Sequence, residues 1–547
     1  MKHSSVRGKE SFVNDSFDYD AVIIGAGISG LYQLYKLREL GLRVCVFEAG
    51  DGIGGTWHWN RYPGARFDSE SYSYAYSFSQ ELLDEWNWSE HFASQPEILR
   101  YLEHVADKFD LLRNIRLSSP VTAAKYDENT RSWKIVLDGG DSYTTRVLIT
   151  AVGILSQPTL PAIEGMDSFK GGAFHTSRWP KENRELGGQN VAVVGTGESG
   201  VQVIQELAKD VNHLTVFQRR PNWCAPLHNG EINSEEMRDI KASYPEMFEQ
   251  CRTSQAGFTW TVDPRGTFEV TADERAAFWE KLYASKGMGI WQGNFKDILV
   301  DPKANLAISE FIAAKIRARV DNPLIADMLI PKDHGFGTRR VPLETHYYEV
   351  YNQSNVDLIN IVDTPIIRVT EDGIVTSAKE FKFDTIVYAT GFDALGGSFD
   401  KIVSEGTNGT LLKDKWDSKM ETYLALQVTG YPNMLMINGP QGLGGNHPVN
   451  IQYTVEWITD FIKHMTEQGL TRVEATPEGT EAWNRHISEK SSGSLMNGVD
   501  SWMTGVNKNV EGKGIRILGA RYGGSVKSYR GLCDEVSSNG YEAMNLS

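Results

Sequence analysis

The sequence predicts an α/β protein with two Rossmann-like dinucleotide-binding domains and a helical insertion. Three observations predict it. Strand, Gly-x-Gly-x-x-Gly turn, helix and return strand follow one another from Tyr19 and again from Asn190. The stretch 223–334 instead carries helical spacing, as in Ala276–Tyr283 and Ala307–Ile316. A chain of 547 residues also exceeds what one hydrophobic core organises.

Tyr19–Ile24 (YDAVII) is a short run of apolar and β-branched residues, as a strand buried on both faces requires. It runs into Gly25-Ala26-Gly27-Ile28-Ser29-Gly30. Gly25 makes the tight turn, Gly27 lets backbone approach a pyrophosphate, and Gly30 lets the helix lie close on the strand. Leu31, Leu34, Tyr35 and Leu37 set a helical spacing that Gly41 ends, and Leu42–Phe47 is the return strand. Glu48 closes it, where a carboxylate accepts hydrogen bonds from ribose hydroxyls.

The second unit repeats the first with one exchange. Asn190–Val194 leads into Gly195-Thr196-Gly197-Glu198-Ser199-Gly200, a helical pattern follows through Val201, Ile204, Gln205 and Leu207, and His213–Gln218 returns. Where the first unit ends in Glu48, this one ends in Arg219, with Arg220 next. A carboxylate there repels a 2′-phosphate and a guanidinium pairs with it, so the second nucleotide is expected to be NADPH. Two such units in one chain imply that one nucleotide passes electrons to the other.

Composition narrows the partners. The net charge of −16 repels nucleic-acid backbones and anionic membranes. No apolar run approaches the roughly 20 residues of a membrane span. Met1–Asp18 is polar and lacks the apolar stretch of a signal peptide, so it reads as a disordered leader. Cys45, Cys224, Cys251 and Cys533 form no C-x-x-C pair and suit neither a metal site nor a redox disulfide. A cytoplasmic protein with reduced thiols is expected, monomeric or weakly oligomeric, with no metal.

The segment between the two units carries a resemblance. Phe169, Gly171, His175 and Trp179, followed by Pro180, fit the pattern F-x-G-x-x-x-H-x-x-x-W-P, which resembles the fingerprint of Baeyer–Villiger monooxygenases. Related flavoenzymes that oxidise nitrogen or sulfur usually carry Tyr or Phe where Trp179 stands. Gly54-Gly55-Thr56-Trp57 is similar to the continuation of FAD-binding oxygenases, so FAD is expected on the first unit. The resemblance runs from about Tyr19 to about Tyr541. It implies an enzyme in which FAD, reduced by NADPH and supplied with dioxygen, delivers one oxygen atom beside a ketone carbonyl to give an ester or lactone. Oxidation of N or S centres is the alternative.

Residue by residue, the resemblance makes Arg340, in Gly337-Thr338-Arg339-Arg340-Val341-Pro342, the catalytic arginine, with Asp68 as its partner. Arginine stays charged at working pH, so its task is to stabilise negative charge on oxygen. Cofactor contacts are expected at Gly25, Gly27, Gly30, Glu48, Gly55, Thr56, Trp57, Asp68, Tyr72, Gly195, Thr196, Gly197, Ser199, Gly200, Gln202, Arg219, Arg339, Ala389, Thr390, Gly391 and Trp502. His175 and Trp179 are read as ordering the linker between domains. The loop around Trp502 resembles one that closes over the nicotinamide nucleotide. Two departures stand out: Glu198 replaces a small residue in the second glycine loop, and Gln441–Pro448 differs from the usual stretch around the substrate cavity. The expected domains are 19–155 with 389–547 for FAD, 156–222 with 335–388 for NADP, and 223–334 as the insertion.

Overall fold

A computed structural model describes residues 16–182 and 185–547, so all of the expected leader before Ser16 lies outside the described residues. The first sheet grows outward from Tyr19–Ile24. Val44–Phe47 lies parallel on one side, Ala21 opposite Val44, and Ser142–Thr150 lies parallel on the other, Ala21 opposite Val147. The inner residues Ala21, Val22, Ile23, Leu148 and Ile149 are fully buried, as expected of strands covered on both faces. Late in the chain, Met434–Met436 returns to this sheet and pairs parallel with Leu148–Thr150. An antiparallel extension, Val121–Asp127 and Ser132–Leu137, completes it.

The second sheet is wholly parallel. Its order is Val356–Asn360, His213–Gln218, Asn190–Val194, Thr385–Tyr388 and Gly172–His175. The fingerprint segment is therefore more than a linker: Gly172–His175 is the edge strand of this sheet, pairing with Thr385–Tyr388.

Helix Ile28–Glu39 is covered by the long helix His447–Gln468. Tyr32 donates to Glu456 at 3.0 Å and Gln33 to Thr459 at 3.0 Å, so the buried donors of these two side chains are paired. The insertion is helical, and it has no core of its own. Met237, Tyr244, Met247 and Phe248, from helices 234–242 and 244–253, join the core under the first sheet. Trp279, Leu282, Ile308, Ile312 and Ile316, from helices 272–283 and 302–319, join the core under the second. The insertion thus ties the two nucleotide domains by burying apolar surface against both. Among the described residues no helix is long and apolar enough to cross a membrane.

Candidate active site

The two glycine loops are built alike. Gly25 has φ +106° and Gly195 φ +111°, a region that disfavours any side chain. A Cβ on Gly25 would stand 2.5 Å from the carbonyl oxygen of Ala151, and one on Gly195 2.5 Å from that of Ala389. Ala389 is thus the floor of the second turn, as Ala151 is of the first. A Cβ on Gly30 would stand 1.8 Å from the Gly25 oxygen, and one on Gly200 2.4 Å from the Gly195 oxygen, so neither helix could pack as closely with a side chain there. The middle glycines differ. Gly27 faces Gly55, whose Cα lies 3.4 Å from where a Gly27 Cβ would be, while a Cβ on Gly197 would meet nothing within 4 Å.

Helices Ile28–Glu39 and Glu198–Leu207 start from Gly27 and Gly197 with no side chain capping either end. Their first N–H groups are left for an external acceptor, the arrangement that takes phosphate. Glu48 is buried and accepts from Ala26 N and Gly50 N at 2.7 Å each, which fixes the carboxylate at the end of its strand.

Three arginines gather at the equivalent place in the second unit. Burial, then Arg220, holds Arg219 below the ordinary guanidinium range. Burial also lowers Arg339; Arg220 and Arg219 add to that and Asp333 and Asp500 oppose it. Arg220 and Arg339 both reach Asp500, and Arg219 lies within electrostatic reach of both. Thr196 Oγ1 donates to the Arg220 carbonyl at 2.9 Å and ties the glycine loop to this cluster. Asp500 sits among them: its carbonyl accepts from Arg339, and its carboxylate lies 4.0 Å from Arg220 and 2.8 Å from Arg516.

Arg340 and Asp68 come together as expected. Arg340 Nη2 donates to Asp68 Oδ2 at 2.7 Å, and Nη1 to the Val341 carbonyl at 3.2 Å. The guanidinium lies 5.5 Å from the Trp291 ring centre, a cation–π contact supplied by the insertion. Glu198 Oε2 is 3.8 Å from Arg340 Nε. Burial alone would lower the Arg340 pKa, but Asp68 and Glu198 outweigh it and hold the guanidinium above its ordinary range. Glu198 is the opposite case. Both its oxygens are buried without a hydrogen-bond partner. Burial and the Asp68 carboxylate push its pKa well up despite Arg340.

The loop carrying Asp68 is fastened from several sides. Arg66 pairs with Glu90 at 3.0 Å and donates to the Phe92 carbonyl at 3.0 Å. Gln202 Nε2 donates to the Arg66 carbonyl at 3.0 Å and Gln202 Oε1 accepts from Tyr62 at 2.7 Å. Gln202, buried and with both ends of its amide engaged, clamps the loop to the second domain. Trp57 packs edge-on against Phe67 and Tyr74 and donates to Tyr74 Oη at 3.2 Å, bracing the same loop. Tyr72 packs edge-on to His91, and burial together with Glu70 and Glu236 raises its pKa.

His175 has both ring nitrogens engaged. Nδ1 accepts from Ser177 N at 3.1 Å, so Nε2 carries the proton and donates to the Gly391 carbonyl at 3.1 Å. Burial lowers its pKa to about 4, with a smaller push from Arg178. The ring is a neutral brace between the fingerprint and the Ala389–Thr390–Gly391 return. Trp179 is buried in the second core beside Phe174.

That return also anchors the loop beyond Trp502. Asn507 donates to the Phe392 carbonyl at 2.8 Å, Asn509 to the Thr390 carbonyl at 3.2 Å, and Lys513 pairs with Asp393 at 2.8 Å and Asp400 at 3.0 Å. Sequence reasoning missed Trp291, Asp500 and Arg521 as neighbours of the site. They come from distant segments with no motif of their own, whereas His447 lies in the 441–448 stretch already singled out. Only Glu198 and the 441–448 stretch had been visible, as departures.

The sequence profile described as pyridine nucleotide-disulphide oxidoreductase matches residues 22–254. Disulfide chemistry is not what the site offers, since all four cysteines are buried and free. The chain is 41% identical over 537 residues to the 2-oxo-Δ3-4,5,5-trimethylcyclopentenylacetyl-CoA monooxygenase of Pseudomonas putida, covering 96% of this chain and 98% of that one. It is 38% identical over 531 residues to a Baeyer–Villiger monooxygenase of Pseudooceanicola batsensis, covering 96% of each. A crystal structure of OTEMO in complex with FAD and NADP superposes with a TM-score of 0.93 at 41% identity, over 97% of this chain and all of that one. The chain belongs to the Baeyer–Villiger monooxygenase family.

Proposed function

We propose that the protein holds FAD on its first glycine loop and NADP(H) on its second, and inserts one oxygen atom beside the carbonyl of a ketone to give an ester or lactone. One observation carries the site assignment: Arg340, on the second domain, is held by Asp68, on the first, and Glu198 at the start of the second glycine-loop helix stands 3.8 Å from the same guanidinium. The corresponding division is 19–155 with 389–547 for FAD, 156–222 with 335–388 for NADP, and 223–334 as the insertion between them.

Both cofactors fit the residues present. Each glycine loop ends in a helix with no side-chain cap, and Glu48 is set to receive ribose hydroxyls. Arg219, Arg220 and Arg339 converge where a 2′-phosphate would need them. When bound, FAD supplies hydride acceptance from NADPH and the activation of dioxygen.

The chain's own residues do the rest. Arg340 presents a permanent positive charge to the substrate's carbonyl oxygen as that oxygen gains charge. Asp68 sets the direction of the guanidinium and Trp291 backs it, so little reorganisation is needed at the moment of reaction. The segment 499–519 is pinned by Asn507, Asn509 and Lys513 to the 390–393 return, and its task in this reading is to keep water from the reacting oxygen.

The test is to incubate the FAD-loaded protein with NADPH, dioxygen and a panel of linear, cyclic and fused-ring ketones, and to look for products one oxygen heavier. Esters or lactones are expected. N-oxides or sulfoxides from amines and sulfides, with no ester from any ketone, would overturn the assignment in favour of heteroatom oxidation.

A further inference from the structure

Arg340 is well supplied with negative charge; a second arginine beside it has none. Arg521 is partly buried, and no carboxylate among the described residues pairs with it; burial and then Arg340 lower its pKa to about 10. At neutral pH it is still a cation. Its guanidinium lies against Gly444, where a Cβ would stand 1.9 Å from Nη2 and 2.6 Å from Cζ, so glycine at 444 is what makes room for it. The Trp502 ring centre lies 5.4 Å away.

The surroundings reinforce the charge. The 22-residue helix His447–Gln468 begins beside Arg521, and its N-cap Asn446 makes no side-chain cap. His447 Nδ1 is buried with no partner. Burial, then Arg521 and Arg340, lowers the His447 pKa to about 4, so the ring is neutral and able to take one more hydrogen bond. The stretch 441–448, which departs from the usual pattern, is thus the stretch that accommodates Arg521.

A desolvated cation without a counter-ion is costly, and an anion delivered to it is correspondingly well held. The NADP phosphates have their own cations: Arg220 and Arg339 gather at Asp500 with Arg219 nearby, whereas Arg521 packs against Gly444 and the Trp502 ring. The anion that Arg521 lacks belongs on the Arg340 side, where the ketone goes.

We propose that Arg521 is a specificity-determining residue that binds a carboxylate carried by the substrate, with His447 and the helix start behind it, so that this enzyme takes oxo acids. This rests on the ketone-oxygenating reading above and adds the class of ketone.

The experiment uses FAD-loaded enzyme with NADP+ bound. It is titrated with 4-oxocyclohexanecarboxylate and with its methyl ester, binding being followed by the flavin absorbance. The acid is expected to bind at least about tenfold more tightly than the ester, the scale of one charge-assisted hydrogen bond. In Arg521→Leu that ratio should fall toward one, and Arg521→Lys should restore part of it. The Kd for NADP+ should not follow the same trend. Equal binding of acid and ester by the unaltered enzyme would overturn the proposal. So would an acid preference that survives Arg521→Leu, or a change confined to NADP+ binding. Failure of the underlying activity would look different: both compounds bind, yet neither gives a product one oxygen heavier.

Discussion

Arg340 reaches Asp68 across 272 residues of sequence and the junction of the two nucleotide-binding sheets, with a 2.7 Å hydrogen bond at the end of the reach. Asp68 keeps only 5% of its side chain exposed and Arg340 27%. A pair so enclosed fixes where a cation stands relative to both glycine loops, and the two residues form a working unit only when the domains are docked.

Arg340→Ala should leave hydride transfer from NADPH to the flavin in place and remove ester formation. Loss of one preorganised donor to a developing oxyanion costs about 10²–10³ in rate. Stopped-flow bleaching of the flavin and chromatography of the product measure the two steps separately. An Arg340→Ala enzyme that still makes ester at the normal rate would refute the role given to this residue.

Asp68→Ala should destabilise the protein as well as slow it. The cost should lie between the roughly 1 kcal/mol of an exposed ion pair and the roughly 3–5 kcal/mol of a fully buried one, because Arg340 remains partly open to solvent. Urea unfolding of the two proteins gives the difference. No loss of stability would mean that Arg340 finds an equal partner, with Glu198 the nearest alternative.

Arg339→Ala should weaken NADPH binding by about tenfold to a hundredfold, the scale of one charge-assisted contact to phosphate, and leave NADH nearly unaffected. The ratio of the two Kd values is the decisive quantity. If both nucleotides lose affinity equally, Arg339 does not read the 2′-phosphate.

His175 carries a pH signature. Burial depresses its pKa from 6.5 to about 4, so the folded protein binds fewer protons there than the unfolded chain does. Its contribution is complete above pH 6.5 and is lost as pH falls from 6.5 through 4, by at most about 3 kcal/mol. His175→Gln, which cannot titrate, should flatten the fall in melting temperature over that interval. Parallel curves for the two proteins would contradict a neutral brace.

Glu198 works in the other direction. Its pKa is raised well above 4.5 by burial and by Asp68, so the folded state binds the extra proton. Stability from that proton is full below pH 4.5 and is lost as pH rises through the raised value. Glu198→Gln should therefore match the original protein near pH 4.5 and melt higher at pH 8, by about 1 °C for each 1 kcal/mol of relieved strain in a chain of this length. A melting difference that does not grow with pH would show that Glu198 is satisfied in its charged form.

Much of this was legible in the chain. Periodicity and glycine spacing located both strand–turn–helix units, because the pyrophosphate-binding turn demands glycine at set intervals. The exchange of Glu48 for Arg219 at equivalent strand ends pointed to the second nucleotide. The family fingerprint pointed to the reaction, although its strand Gly172–His175 proved to be a sheet edge as well as a connector. Less legible were the contacts that residues make with segments far away in sequence. Gln202 follows a glycine loop by position yet spends its amide on Tyr62 and Arg66, and Tyr72 turns toward His91 and the insertion.

Local sequence by itself determined the two nucleotide folds, because hydrophobic period and turn chemistry act over a few residues and need no partner. Tertiary packing alone decided that Trp291 backs Arg340, that Glu198 is stranded beside Asp68, and that Arg521 stands without a counter-ion next to Gly444. Charge, burial and orientation at a site are properties of what surrounds a side chain, and those surroundings come together only when the distant segments fold onto one another.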